Sequence, residues 1–60
     1  MAVRVYLADD DVEVRRALRF MIEHSLGVKI AGEAAHTYGL PSLVEATQAD
    51  IVLIDWDLPD

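Results

Sequence analysis

Two short stretches of this chain deliver carboxylates straight from apolar runs. Asp9 and Asp10 follow VRVYLA (residues 3–8), and Asp55 follows IVLI (51–54). Three carboxylates brought together repel one another unless a cation neutralises them or one takes a proton. An all-oxygen donor set, without cysteine or histidine among the donors, favours a hard ion such as Mg²⁺ or Mn²⁺. Magnesium keeps several of its waters and binds through one or two carboxylates together with a phosphate. Aspartate is itself a phosphoryl acceptor, forming an aspartyl phosphate. The pattern therefore suits magnesium and a phosphoryl group, provided that the fold brings residue 55 to residues 9 and 10.

The rest of the sequence predicts elements that would do so. Residues 3–8 alternate and then turn uniformly apolar, as a strand does. A helix follows, because Val14, Leu18, Met21, Ile22 and Leu26 recur on one face of a 3.6-residue period. Asp10 or Asp11 caps its start, and Asp10 with Glu13 has the spacing of a capping box. Arg15, Arg16, Arg19 and Glu23 fall on the wet side, and Gly27 is a natural stop. VKIAGE (28–33) reads as a second strand, with Val28, Ile30 and Gly32 on one face. Gly39 and Pro41 break the next segment. They leave a short helix from about Pro41 or Ser42 to Gln48, with Leu43, Val44 and Ala46 partly buried and Pro41 tolerated in the first turn. IVLI (51–54) is a continuous apolar run, as in a parallel strand covered on both faces. The order strand–helix–strand–helix–strand implies an α/β fold with parallel strands and right-handed crossovers. In such a sheet the carboxyl ends share one edge, and ligands bind there where the strand order reverses.

Composition narrows the function. Sixty residues make one small domain at most, which is marginal alone and helped by a disulfide, a metal or a partner chain. With no cysteine, a disulfide and a zinc-thiolate site are excluded, which fits a cytoplasmic location. Eleven acids against five bases give a formal charge of −6, so this segment is not expected to bind nucleic acid directly. No apolar run has the length of a membrane span, and MAVRVYLADDD lacks the shape of a signal peptide.

The whole chain resembles the receiver domain of two-component response regulators. The resemblance rests on VYLADDD, the arginine-bearing amphipathic helix after it, GVKIAGEA, and DIVLIDWDLPD. GVKIAGEA is most similar to receivers of the NarL/FixJ-like group, which are attached to LuxR-type helix-turn-helix transcription factors. The resemblance implies a flavodoxin-like (CheY-like), doubly wound parallel sheet truncated to β-α-β-α-β, with strand order 2-1-3. It also implies that Asp10 ligates Mg²⁺ directly while Asp9 acts mostly through water. Asp55 would ligate Mg²⁺ and accept the phosphoryl group from a sensor histidine kinase. Asp57 would offer its backbone carbonyl to the metal. Residues 1–60 are expected to form the N-terminal half of a receiver, with no output domain. The family's fourth-strand Thr or Ser, fifth-strand Lys and aromatic switch residue lie outside this sequence. DNA contact would come only through an output domain.

Other readings stand beside this one. Asp9, Asp10 and Asp11 also suit helix capping, Asp11 above all. Asp55 also suits a solvated strand end, and Asp57 and Asp60 read as solvated acids. IVLIDWDLP fits the opening motif of haloacid-dehalogenase-type phosphatases, with Asp55 as nucleophile and Asp57 as general acid/base. That reading gives Asp9 and Asp10 no work, and Leu58-Pro59 departs from its usual continuation. A third reading is a half-receiver that only dimerises or titrates a partner. Strand 51–54 would then be an exposed apolar edge that invites pairing, and two copies are expected to associate through it. His24 and His36 have no partner histidine at metal spacing. Phe20 and Met21 read as packing residues, and Trp56 either as shaping access to the phosphorylation site or as mere cover over its rim. Arg15, Arg16 and Arg19 read as a wet face; the resemblance adds that this helix helps to dock the kinase.

Overall fold

The computed structural model describes residues 2–59; Asp60 lies outside them. β1 (Val3–Ala8), α1 (Val12–Glu23), β2 (Val28–Ala34), α2 (Leu40–Thr47) and β3 (Ile51–Ile54) follow in the expected order. β1 lies in the middle of a three-stranded parallel sheet of order β2-β1-β3. This is the truncated flavodoxin-like arrangement. Among the described residues no helix is long and apolar enough to cross a membrane.

β1, flanked by a strand on each side, carries the buried core of the sheet. Val5, Tyr6, Leu7 and Ala8 are all buried, and Leu7 is fully enclosed. Side chains alternate between faces along a strand. Tyr6 and Ala8 form one cluster with Leu40 of α2, with Ala34, Val44, Ala49, Val52 and Leu58 around it. Leu7 lies on the opposite face, where Leu18 of α1 and Leu53 join it in lining a small pocket.

The pairing of β1 with β2 contains a slip. Val5 pairs with Ile30, but Tyr6 pairs with Gly32, so Ala31 is extra. An extra residue reverses the facing of everything after it. The expectation that Val28, Ile30 and Gly32 share a face is therefore corrected: Gly32 lies on the Tyr6 side. A Cβ at Gly32 would stand 2.6 Å from the Tyr6 ring, closer than real contacts allow, so glycine is required for Tyr6 to pack there. The Tyr6 hydroxyl then donates to the Glu33 carbonyl at 3.3 Å.

Both helices differ from expectation in which residues they bury. Asp11, not Asp10, caps α1; its Oδ1 accepts from the N–H groups of Glu13 and Val14 at 2.9 and 3.2 Å. With Asp11 as the cap, the third helical position is Val14, and Glu13 is one position too early to complete a capping box. α1 packs on β2 and β1, with Arg15, Leu18 and Ile22 half-buried. Val14, Phe20 and Met21 are exposed, as is Leu26 beyond the helix, and Arg15 and Arg19 pair with Glu33, so part of the basic stripe meets β2. α1 stops at Glu23 with His24 as its C-cap, and Gly27, at φ 78°, belongs to the turn beyond. α2 begins at Leu40, earlier than predicted, with Pro41 in its first turn. Leu40 is its buried anchor and Val44 is half-buried, whereas Leu43 and Ala46 are exposed. α2 ends on Gln48, which takes a left-handed conformation at φ 56°. β3 is not covered on both faces: Val52 is half-buried, and Ile51, Leu53 and Ile54 are exposed.

Candidate metal site at the carboxyl edge

Parallel pairing brings the strand ends to one edge. The Asp55 N–H donates to the Ala8 carbonyl at 2.8 Å, and the Asp9 N–H to the Ala34 carbonyl at 3.0 Å. These bonds extend the ladders by one residue and fix where the two acids leave the sheet. Asp9, Asp10 and Asp55 each bring a carboxylate oxygen within 4.8 Å of the others. Asp9 is buried, Asp55 half-buried and Asp10 exposed, so the cluster opens to solvent on the Asp10 side.

Asp9 is the most constrained of the three. Its Oδ1 accepts the Asp11 N–H at 2.9 Å. Its carbonyl accepts from the Arg15 guanidinium at 2.7 Å. Asp55 is held differently. The Leu58 N–H donates to its carbonyl at 3.2 Å, closing a turn in which Trp56 and Asp57 are the exposed central residues. Desolvation, the negative charges of Asp9 and Asp10, and a hydrogen bond with Asp10 raise the Asp55 pKa; a hydrogen bond from the Asp57 backbone opposes them. The dominant influences all disfavour a bare carboxylate at residue 55.

Such an arrangement fits a cation. Three hard oxygen donors surround one point, with no sulfur or nitrogen donor in the set, and a bound ion would relieve the repulsion that raises Asp55. Asp57 meets Asp55 through its backbone and not through its carboxylate, and it is not in the cluster. Asp11 is spent on capping α1. His24 holds the Phe20 carbonyl at 2.7 Å and His36 lies by Tyr38, both away from the carboxylates. Trp56 is almost fully exposed and covers nothing.

One residue expected on the wet face of α1 is instead half-buried beside the cluster. Arg15 Nε pairs with Glu33 Oε1 at 3.1 Å, with about a fifth of each side chain exposed. The signal that could have located it is its spacing. Arg15 stands one position before the second turn of α1, three residues ahead of Leu18 and seven ahead of Ile22, so it shares their face.

No protein-family model matches the chain, and no solved structure does. Among curated proteins it is similar to the transcriptional regulatory protein YxjL of Bacillus subtilis (strain 168), 33% identical over 57 residues, which are 95% of this chain and 26% of the relative. YhcZ of the same organism, also named a transcriptional regulatory protein, is 33% identical over 58 residues, 97% of this chain and 27% of its own length. A protein-glutamate methylesterase/protein-glutamine glutaminase of Alkalilimnicola ehrlichii is 28% identical over all 60 residues, 15% of its length. The chain thus spans about a quarter of the two regulators and less of the methylesterase. Its likeness to proteins of regulation loosely supports the reading as a response-regulator receiver.

Proposed function

We propose that the chain is the N-terminal, acid-bearing part of a response-regulator receiver, in which Asp55 accepts a phosphoryl group from a sensor histidine kinase with Mg²⁺ bound by Asp9, Asp10 and Asp55. The observation that carries this reading is the convergence of the three carboxylates at the carboxyl edge of the sheet. A regulator and a methylesterase both share the segment, which supports a module that serves more than one output. In the longer protein the output would be control of transcription.

In this reading an Asp55 carboxylate oxygen attacks the phosphorus of the kinase phosphohistidine. The new P–O bond forms as the P–N bond breaks, and the imidazole leaves with the bonding electron pair. When bound, Mg²⁺ supplies charge neutralisation for the phosphoryl oxygens. The chain's own share is positional: β1 and β3 hold Asp9 and Asp55 side by side, and the turn after β3 keeps the outer face of Asp55 open. Asp57 would add its backbone carbonyl to the metal's ligands. The test is incubation with acetyl phosphate or beryllofluoride, with and without Mg²⁺, for the wild type and Asp55→Asn. A Mg²⁺-dependent adduct on the wild type alone is expected; identical behaviour of the two proteins would sink the assignment. Turnover of a phosphate ester would instead favour the phosphatase reading.

A second reading is favoured by β3. Ile51, Leu53 and Ile54 are exposed, and among the described residues no strand pairs with the outer edge of β3. Such an edge recruits another strand, and a second copy of this chain would supply one. Light scattering at micromolar concentration is expected to give a dimer; a stable, folded monomer would refute it.

A further inference from the structure

Arg15 touches no carboxylate of the cluster, yet it reaches the cluster's backbone. Its Nη1 donates to the Asp9 carbonyl at 2.7 Å. That carbonyl belongs to the peptide unit joining Asp9 to Asp10. The same guanidinium is tethered through Nε to Glu33 at 3.1 Å. Glu33 also takes a hydrogen bond from Arg19, and Arg19 is anchored by Glu23 at 2.7 Å. A chain of charged groups therefore runs from α1 across β2 to the peptide between two of the three acids. The Asp9 carboxylate is separately fixed by the Asp11 N–H, so both ends of Asp9 are held.

We propose that Arg15, braced by Glu33, is a positioning residue for the carboxylate cluster: by gripping the Asp9–Asp10 peptide it sets the separation of those acids that a divalent cation needs. The inference rests on the metal reading of the cluster. Arginine suits this task because its planar fork offers donors in two fixed directions, one for Glu33 and one for the carbonyl, whereas lysine is a single point charge on a flexible stem. Groups that orient metal ligands in this way typically cost about 10–100-fold in metal affinity when removed.

The sign of the effect separates positioning from bulk charge. Removing a cation beside three carboxylates would, by charge alone, tighten Mg²⁺ binding. Loss of positioning weakens it. Mg²⁺ alone is titrated into the full chain and followed by Trp56 emission and by calorimetry, with circular dichroism of each metal-free variant as the check on folding. Arg15→Gln is expected to weaken Mg²⁺ about tenfold while the fold is kept. Arg15→Lys, which keeps the charge, is expected to weaken it in the same direction by less. Unchanged or tighter binding by Arg15→Gln overturns the proposal. If that variant fails to fold, Arg15→Lys decides: weaker binding supports the proposal and unchanged binding overturns it. Asp10→Asn distinguishes the underlying reading. If the wild type does not bind Mg²⁺, or Asp10→Asn binds it equally well, the metal reading fails and takes this inference with it. If Asp10→Asn loses binding while both Arg15 variants match the wild type, only the inference about Arg15 fails.

Discussion

The two edges of the sheet treat aspartate in opposite ways. At the amino edge Asp50 is tied to β1: its Oδ2 accepts the Arg4 N–H at 2.9 Å, and its own N–H donates to the Arg4 carbonyl at 2.7 Å. The Arg4 guanidinium turns back to the Thr47 carbonyl at 3.0 Å. At the carboxyl edge Asp9, Asp10 and Asp55 face one another. An acid set beside a basic residue closes a structure, while acids gathered within reach of one another hold repulsion that a ligand can relieve. The contrast supports the carboxyl edge as the place for a ligand under the proposed function.

Damage to the strand common to both edges is the largest expected effect and would erase the contrast. Leu7→Ala empties the most enclosed side chain of β1. A loss of about 2–5 kcal/mol is expected, read by urea denaturation with and without Mg²⁺; a loss under about 1 kcal/mol would mean that the centre of β1 is not the shared support.

Next in size is the response to metal. With Mg²⁺ at tenfold its dissociation constant, the wild type is expected to gain about 1.4 kcal/mol. Asp10→Asn is expected to lose that gain and Asp50→Asn to keep it, as measured by thermal denaturation. Equal behaviour of the two variants would break the distinction between the edges.

Asp50→Ala is expected to cost about 1 kcal/mol from its lost hydrogen bond to the Arg4 N–H, with Mg²⁺ affinity untouched. A change in Mg²⁺ affinity would show that the two edges communicate.

The smallest effect is the dependence on pH without metal. The fold raises the Asp55 pKa above its ordinary value of 3.8, so the folded chain holds that proton more tightly than the unfolded one. Its contribution is fully present below 3.8 and is lost as pH rises through the raised value. Metal-free stability from this group is thus expected to fall with rising pH in that window, and Asp55→Asn to flatten the slope. A steeper slope in Asp55→Asn would reverse the sign assigned here.

How far the sequence reveals this differs by level. Element order, strand boundaries to within a residue and the three acids are legible because each rests on a local signal: an apolar run, a helical period, an acid at a strand end. Burial along α1 is not. A period identifies a face but not its rotation, and the ion pairs of Arg15 and Arg19 with Glu33 involve residues 18 and 14 positions apart. Leu40 is similarly hidden, because Gly39 and Pro41 beside it signal a break in the chain rather than the anchor of α2. The exposure of β3 depends on what packs beside it, and four apolar residues alone do not carry that information.

The extra residue at Ala31 has a consequence for how β2 tolerates change in length. Because of it, Glu33 pairs with Leu7 and so shares the face on which α1 lies. Without the slip, simple alternation from Ile30 would carry the Glu33 carboxylate to the side of α2. The same residues would then leave two arginines without their anion and set an acid among the apolar neighbours of Tyr6. Deleting Ala31 would instead restore a regular ladder and leave Glu33 opposite Leu7. An insertion is the change in length that threatens this strand, because it upsets the parity that the slip sets.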